Sequence, residues 1–177
     1  AMRAGLNQYP PMAGVVALRE SIAAKIGRLY GATYDPTTEI TVTTGATQAI
    51  FTAVLAIVRP GDEVIVLEPV YDSYIPNIEL AGGKAVIVSM NAEFRVPWDA
   101  VRAAVTPRTR AIMINSPHNP SGTILHDADM RALEALAVEA KLFVISDEVY
   151  EHMVFDGEPH RSASCYPGLA ERSFVVS

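Results

Sequence analysis

Five short apolar runs decide what this chain can fold into: VIVL in DEVIVLEP, VIV in KAVIVSM, AIMI in TRAIMIN, FVI in LFVISD and FVV in SFVVS. Each has the length and β-branched character of a strand, and none alternates cleanly with polar residues. Such strands are covered on both faces, so helices must lie on either side of a mainly parallel sheet. The intervening segments supply them. ATQAIFTAVLAIV reads as an apolar helix, YDSYIPNIELAG as one closed by Gly82 and Gly83, PWDAVRAAV (97–105) as one opened by proline, and DADMRALEALAVEAK as one over 127–141. Upstream, VVALRESIAAKIGRLY (15–30) carries Val15, Leu18, Ile22, Ile26 and Leu29 at the spacing of an amphipathic helix. EITVTT (39–44) predicts a sixth strand. This order implies a three-layer α/β/α fold with a mainly parallel sheet and right-handed crossovers.

Half of the 177 residues are hydrophobic and 19% are charged, enough apolar material for a sizeable core. The net charge of −6 leaves no basic footprint for nucleic acid. The longest strongly apolar stretch, AIFTAVLAIV, has about half the residues of a membrane-spanning helix. A single cysteine, Cys165, has no internal disulfide partner, which points to a reducing compartment and a cytoplasmic protein. Ala1 precedes Met2, and SFVVS stops within a strand pattern. The expectation is one large domain, represented by residues 1–177 and incomplete at both ends.

Ligands of open α/β sheets sit at the carboxyl ends of the strands. TTGAT places Gly45, Ala46 and Thr47 where a helix begins; its free N–H groups and dipole suit a phosphate, the alternative being an ordinary turn with a threonine cap. GxxxxGK[ST] and GxGxxG are both absent. Asp147 follows LFVIS directly, and a carboxylate there is costly unless a cation such as a protonated ring nitrogen meets it; an N-cap or structural ion pair is the competing explanation. Tyr150 comes about one turn later and presents a phenol, or is a core tyrosine. Tyr71 in EPVYDSY is placed to stack on a flat ring, with Tyr74 one turn on as packing. Within SPHNPSG, stiff prolines flank Asn119, whose amide can donate to a ring oxygen. Ser116–Pro117 and Asn119–Pro120 are candidates for cis peptides, and His118 reads as a loop histidine. The four histidines show no metal-ligand spacing.

In this order, TTGATQAI, EPVYDSY, NSPHNPSG and ISDEVYEHMVF resemble the class I/II aminotransferases, pyridoxal-phosphate (PLP) enzymes of fold type I, along nearly the whole chain. The variants look most like the branch acting on methionine, glutamine or aromatic amino acids. The resemblance implies that Gly45, Ala46 and Thr47 bind the cofactor phosphate, with Ser177 a further candidate. It implies that Tyr71 stacks on the pyridine, that Asn119 and Tyr150 bond its phenolic oxygen, and that Asp147 pairs with its ring nitrogen. Tyr9 in NQYPP would reach the phosphate of a neighbouring subunit, so the resemblance implies a homodimer with shared active sites. Substrates would be an amino acid and a 2-oxo acid.

The resemblance also implies a Schiff-base lysine, and Lys25, Lys84 and Lys141 do not sit at the strand ends. It is expected just after Ser177, with the remaining large domain and a small domain beyond. Two other readings compete with transamination: a PLP-dependent carbon–sulfur β-lyase, and a non-enzymatic aminotransferase-like sensor domain.

Overall fold

A parallel sheet needs a crossover between every pair of strands, and the helical segments supply them. The computed structural model of the chain describes residues 2–5 and 8–177. Strands β1 (Glu63–Glu68), β2 (Lys84–Ser89), β3 (Thr109–Asn115), β4 (Phe143–Asp147) and β5 (Ser173–Val176) form one sheet in the order β2-β1-β3-β4-β5. Every pairing is parallel. The helices are α1 (Val16–Tyr30), α2 (Gly45–Ile57), α3 (Tyr74–Leu80), α4 (Trp98–Ala103), α5 (Asp127–Glu139) and α6 (Pro167–Ala170).

The two-residue period of each strand sorts its side chains between two cores. Ile65, Leu67, Ile112, Ile114 and Val144 pack with Val101 of α4 and with Met130 and Leu133 of α5. Val64, Val66, Ala111, Met113 and Ile145 pack on the other face with Ile50 and Val54 of α2 and Ile78 of α3. Ile65, Ile112 and Ile145 are fully buried, and each contributes about 1.5–3 kcal/mol relative to an exposed side chain. The result is the expected three-layer α/β/α arrangement.

The chain divides into two compact units, residues 1–44 and 45–177, and the sheet belongs wholly to the second. In the first unit two expectations change. Residues 39–44 join no ladder among the described residues; the Val42 N–H finds one partner, the Ala13 carbonyl at 2.9 Å. β-branched composition favours an extended chain, but a strand exists only where neighbours pair with it. Helix α1 forms as its spacing predicts and ends at Gly31 in the left-handed conformation, φ 68°. Its apolar stripe, however, is largely open, with Val15 at 53%, Leu18 at 47% and Leu29 at 45% exposure. The residue that α1 buries is Arg19, whose guanidinium donates to the carbonyls of Gly14, Pro36 and Thr37.

Candidate active site

Strand parity decides which way the last residue of a strand projects. Met113 and Ile145 belong to the α2–α3 core, so Asn115 and Asp147, two residues on, emerge on that side. The register of β3 with β4 sets Asn115 beside Asp147. There a cavity of about 220 Å³ opens, lined by Ala46 and Thr47 from the start of α2, by Tyr71, Asn119, Asp147 and Tyr150, and completed by Ile50, Asn115 and Val149.

Asp147 is 5% exposed. Its Oδ2 accepts from the Tyr74 hydroxyl at 2.6 Å, and its Oδ1 from the Val149 N–H at 3.3 Å. Burial pushes its carboxyl above the usual range, the Tyr74 and Val149 bonds pull it back, and the Glu148 charge adds to the rise. Among the described residues it forms no ion pair with a lysine, arginine or histidine. The Tyr74 hydroxyl is itself held protonated, first by burial and then by the Asp147 charge, so it acts as a donor. The Tyr74 ring meets Tyr71 edge-on, centroids 5.7 Å apart at 71°.

The SPHNPSG loop is tied down at several points. Asn115 donates from Nδ2 to the Asp147 carbonyl (3.0 Å) and accepts the Asn119 N–H on Oδ1 (2.7 Å). Ser116 N–H also donates to the Asp147 carbonyl, at 3.1 Å. Both X-Pro bonds flagged in this loop are cis, as is Glu68–Pro69. Asn119 is thus tethered through Asn115 to the strand that carries Asp147.

Gly45 starts α2 at φ 81°, in the left-handed region that favours glycine, and does not itself line the cavity. A helix start presents backbone N–H groups and the positive end of the helix dipole, which is where an anion would bind. Ser177 does not line the cavity; its hydroxyl bonds the Glu151 carboxylate. Tyr9 lies in the first unit and is fully exposed. No lysine lines the cavity: Lys84 opens β2 and Lys141 precedes β4, both at the opposite end of the sheet, and Lys25 lies on α1.

The sequence reading missed the roles of Tyr74 and Asn115. Asn115 had a signal, a polar residue ending a buried strand. Tyr74 had only its place one turn after Tyr71, which packing explains equally well.

The family model for aminotransferase class I and II matches residues 1–176. The chain is 49% identical to the probable N-succinyldiaminopimelate aminotransferase DapC of Mycobacterium tuberculosis, over all of this chain and 45% of that protein. It is 49% identical to the methionine aminotransferase of Escherichia coli over 98% of this chain and 45% of that one. Among solved structures, YbdL from Escherichia coli, described as having a methionine aminotransferase function, superposes with a TM-score of 0.96 at 47% identity, over 98% of this chain and 46% of its own. The Mycobacterium tuberculosis N-succinyldiaminopimelate aminotransferase gives 0.95 at 49%, over 98% of this chain and 46% of its own. The chain therefore spans slightly under half the length of these relatives. With these matches, in this fold and around this cavity, the chain belongs to the aminotransferase class I and II family, whose members are PLP-dependent enzymes.

Proposed function

We propose that the protein containing this chain transfers an amino group between an amino acid and a 2-oxo acid, with PLP held in the cavity described above. The observation that carries this reading is Asp147, a buried carboxylate at a cavity wall with no protein cation paired to it among the described residues. Such a group is stabilised by a protonated heterocyclic nitrogen. The remaining wall fits the same molecule. Tyr71 offers an aromatic face, Asn119 and Tyr150 offer donors for a ring oxygen, and the α2 start at Gly45, Ala46 and Thr47 offers N–H groups for a phosphate. At about 220 Å³, the cavity is smaller than drug-sized pockets of roughly 300–1,000 Å³, and suits one substituted ring better than a dinucleotide.

When bound, PLP supplies an electron sink for negative charge developing at the substrate α-carbon. The chain's own contribution is electrostatic and positional. Asp147 keeps a proton on the ring nitrogen, Asn119 and Tyr150 orient the ring oxygen, and Tyr71 covers one ring face. The amine nucleophile and proton carrier must be a lysine. Lys25, Lys84 and Lys141 do not line the cavity, and the relatives are about twice as long, so we assign this role to a residue beyond 177.

A homodimer with shared sites belongs to the same reading. It is supported by the apolar residues open on the first unit: Tyr9 and Met12 fully exposed, Val15, Val16 and Leu18 about half exposed. Tyr9 would then serve the partner's phosphate. Among the described residues no helix is long and apolar enough to cross a membrane. A cytoplasmic location rests on the lone Cys165. The relatives' names make methionine a candidate amino donor, beside the much longer N-succinyldiaminopimelate.

The test is to incubate the full-length protein with PLP, reduce with borohydride, and weigh it intact, beside a 2-oxo acid assay with an acceptor supplied. One reduced adduct per chain and acceptor-dependent product are expected. Asp147→Ala should keep the fold and lose turnover by about a hundredfold or more, the scale of a lost preorganised electrostatic contact. Near-normal turnover in that variant would remove Asp147 from the site. Ammonia and thiol released without an acceptor would favour the β-lyase.

A further inference from the structure

Two loops deliver the flat-ring contacts of this site, the turn after β1 with Tyr71 and the SPHNPSG loop with Asn119, and one side chain joins them. His118 is 7% exposed. Its Nε2 lies 2.9 Å from the carbonyl oxygen of Pro69, and its Nδ1 lies 2.8 Å from Ser121 Oγ. A carbonyl only accepts, so Nε2 carries the hydrogen and donates across the gap between the loops. In the tautomer with that hydrogen on Nε2, Nδ1 accepts from Ser121. Behind it, Ser121 Oγ, whose hydrogen is used on Nδ1, accepts from the Thr123 hydroxyl at 2.7 Å, and the His118 N–H donates to the Thr123 carbonyl (2.8 Å). Both ring nitrogens are committed, and the ring does not line the cavity, so it is not placed to carry protons for a reaction.

We propose that His118 is a positioning residue, a strut whose Nε2–H to Pro69 bond sets the separation of Tyr71 from Asn119 and hence the width of the ring slot. The proposal rests on the cofactor reading above for its effect on PLP, and on this structure alone for its effect on the loops. Pro69 lacks an N–H and stands two residues before Tyr71, so this carbonyl is the polar handle that its own residue offers. His118 stands next to Asn119, whose N–H is already fixed by Asn115. The strut therefore ties a turn that has few such bonds to a loop that has many.

Glutamine places an Nε2–H at about the reach of the histidine Nε2, whereas asparagine places its amide at the Nδ1 position and falls short of Pro69. His118→Gln and His118→Asn are therefore compared in the full-length protein. Hydrogen–deuterium exchange over residues 69–74, without added cofactor, reads the strut itself. PLP titration, with the induced circular dichroism of the bound ring, reads its consequence. We expect His118→Asn to exchange about tenfold faster over 69–74 and to bind PLP about tenfold more weakly, roughly what one net hydrogen bond is worth in an equilibrium. His118→Gln should stay near wild type in both. Equal behaviour of the two variants, whether both lose or both keep wild-type exchange, would overturn the strut. A wild-type protein that takes up no PLP would refute the cofactor reading instead, while the exchange comparison would still decide the role of His118.

Discussion

Tyr74→Phe removes one oxygen and tests the electrostatics of the site where they are most exposed to refutation. The ring stays, so the buried volume and the edge contact with Tyr71 at 5.7 Å are retained. What goes is the 2.6 Å bond to Oδ2 of Asp147, the larger of the two influences that hold that carboxyl down against burial. The remaining Val149 N–H, at 3.3 Å, is a weak substitute. A hydrogen bond to a charged acceptor contributes about 1.5–3 kcal/mol, and a neutral one about 1 kcal/mol. The sign of the pH dependence follows from proton binding. The folded Asp147 keeps its proton to higher pH than the unfolded one, so the folded state binds more protons in that interval. Its stability therefore falls as pH rises through the interval, and the full cost is present above Asp147's raised value. The phenylalanine variant widens the interval upward. In denaturant titrations of the full-length protein without added cofactor, the variant should be about 1.5–3 kcal/mol less stable than wild type at neutral pH. In acid, where Asp147 is protonated in both states, the deficit should shrink to about 1 kcal/mol. A deficit of the same size at both pH values would mean that Asp147 is not an ionised group supported from behind, and no deficit at either would mean that Tyr74 only packs.

Three further variants probe the scaffold. Glu148 is buried and bonded to Ser146, His160 and the Ala163 N–H, so Glu148→Ala should cost about 3–5 kcal/mol in the same titration. Arg102→Ala, which breaks the exposed pair with Glu139, should stay within about 1 kcal/mol. At Gly83 an added Cβ would come within 2.6 Å of Val58 Cγ1 and 3.1 Å of Ile78 Cγ2, so Gly83→Ala should destabilise by about 1–3 kcal/mol through overpacking beside α3; a neutral result in thermal melts would show that this corner relaxes freely.

Legibility in the sequence divided along a physical line. Strands β1 to β5 were readable because continuous apolar runs leave few alternatives to a sheet covered on both faces. The segment 39–44 has the same β-branched composition, yet forms no strand among the described residues, because pairing is a property of neighbours. Helix α1 shows the matching failure on the helical side. Its spacing gave the helix, but not that Arg19 would be its buried residue, since that depends on carbonyls some 17 residues away.

The site divides the same way, and the division explains which residues motif reading finds. Ala46, Thr47, Tyr71, Asn119, Asp147 and Tyr150 all face the cavity, and each sits at a strand end or helix start that the pattern already located. Tyr74 and His118 stand behind them, Asn115 reaches the cavity wall as well, and each supports another residue: Tyr74 holds Asp147, Asn115 holds Asn119, His118 holds the turn before Tyr71. A face-forward residue is legible because its chemistry must match a ligand. A supporting residue needs only one donor or acceptor at the right distance, which tyrosine, asparagine or histidine can each provide from different places in the chain. The buried carboxylate nevertheless makes one part of that shell predictable in kind. An Asp at the end of an apolar strand with no neighbouring cation requires a donor from the helix packed on its face, and here that helix begins with Tyr74.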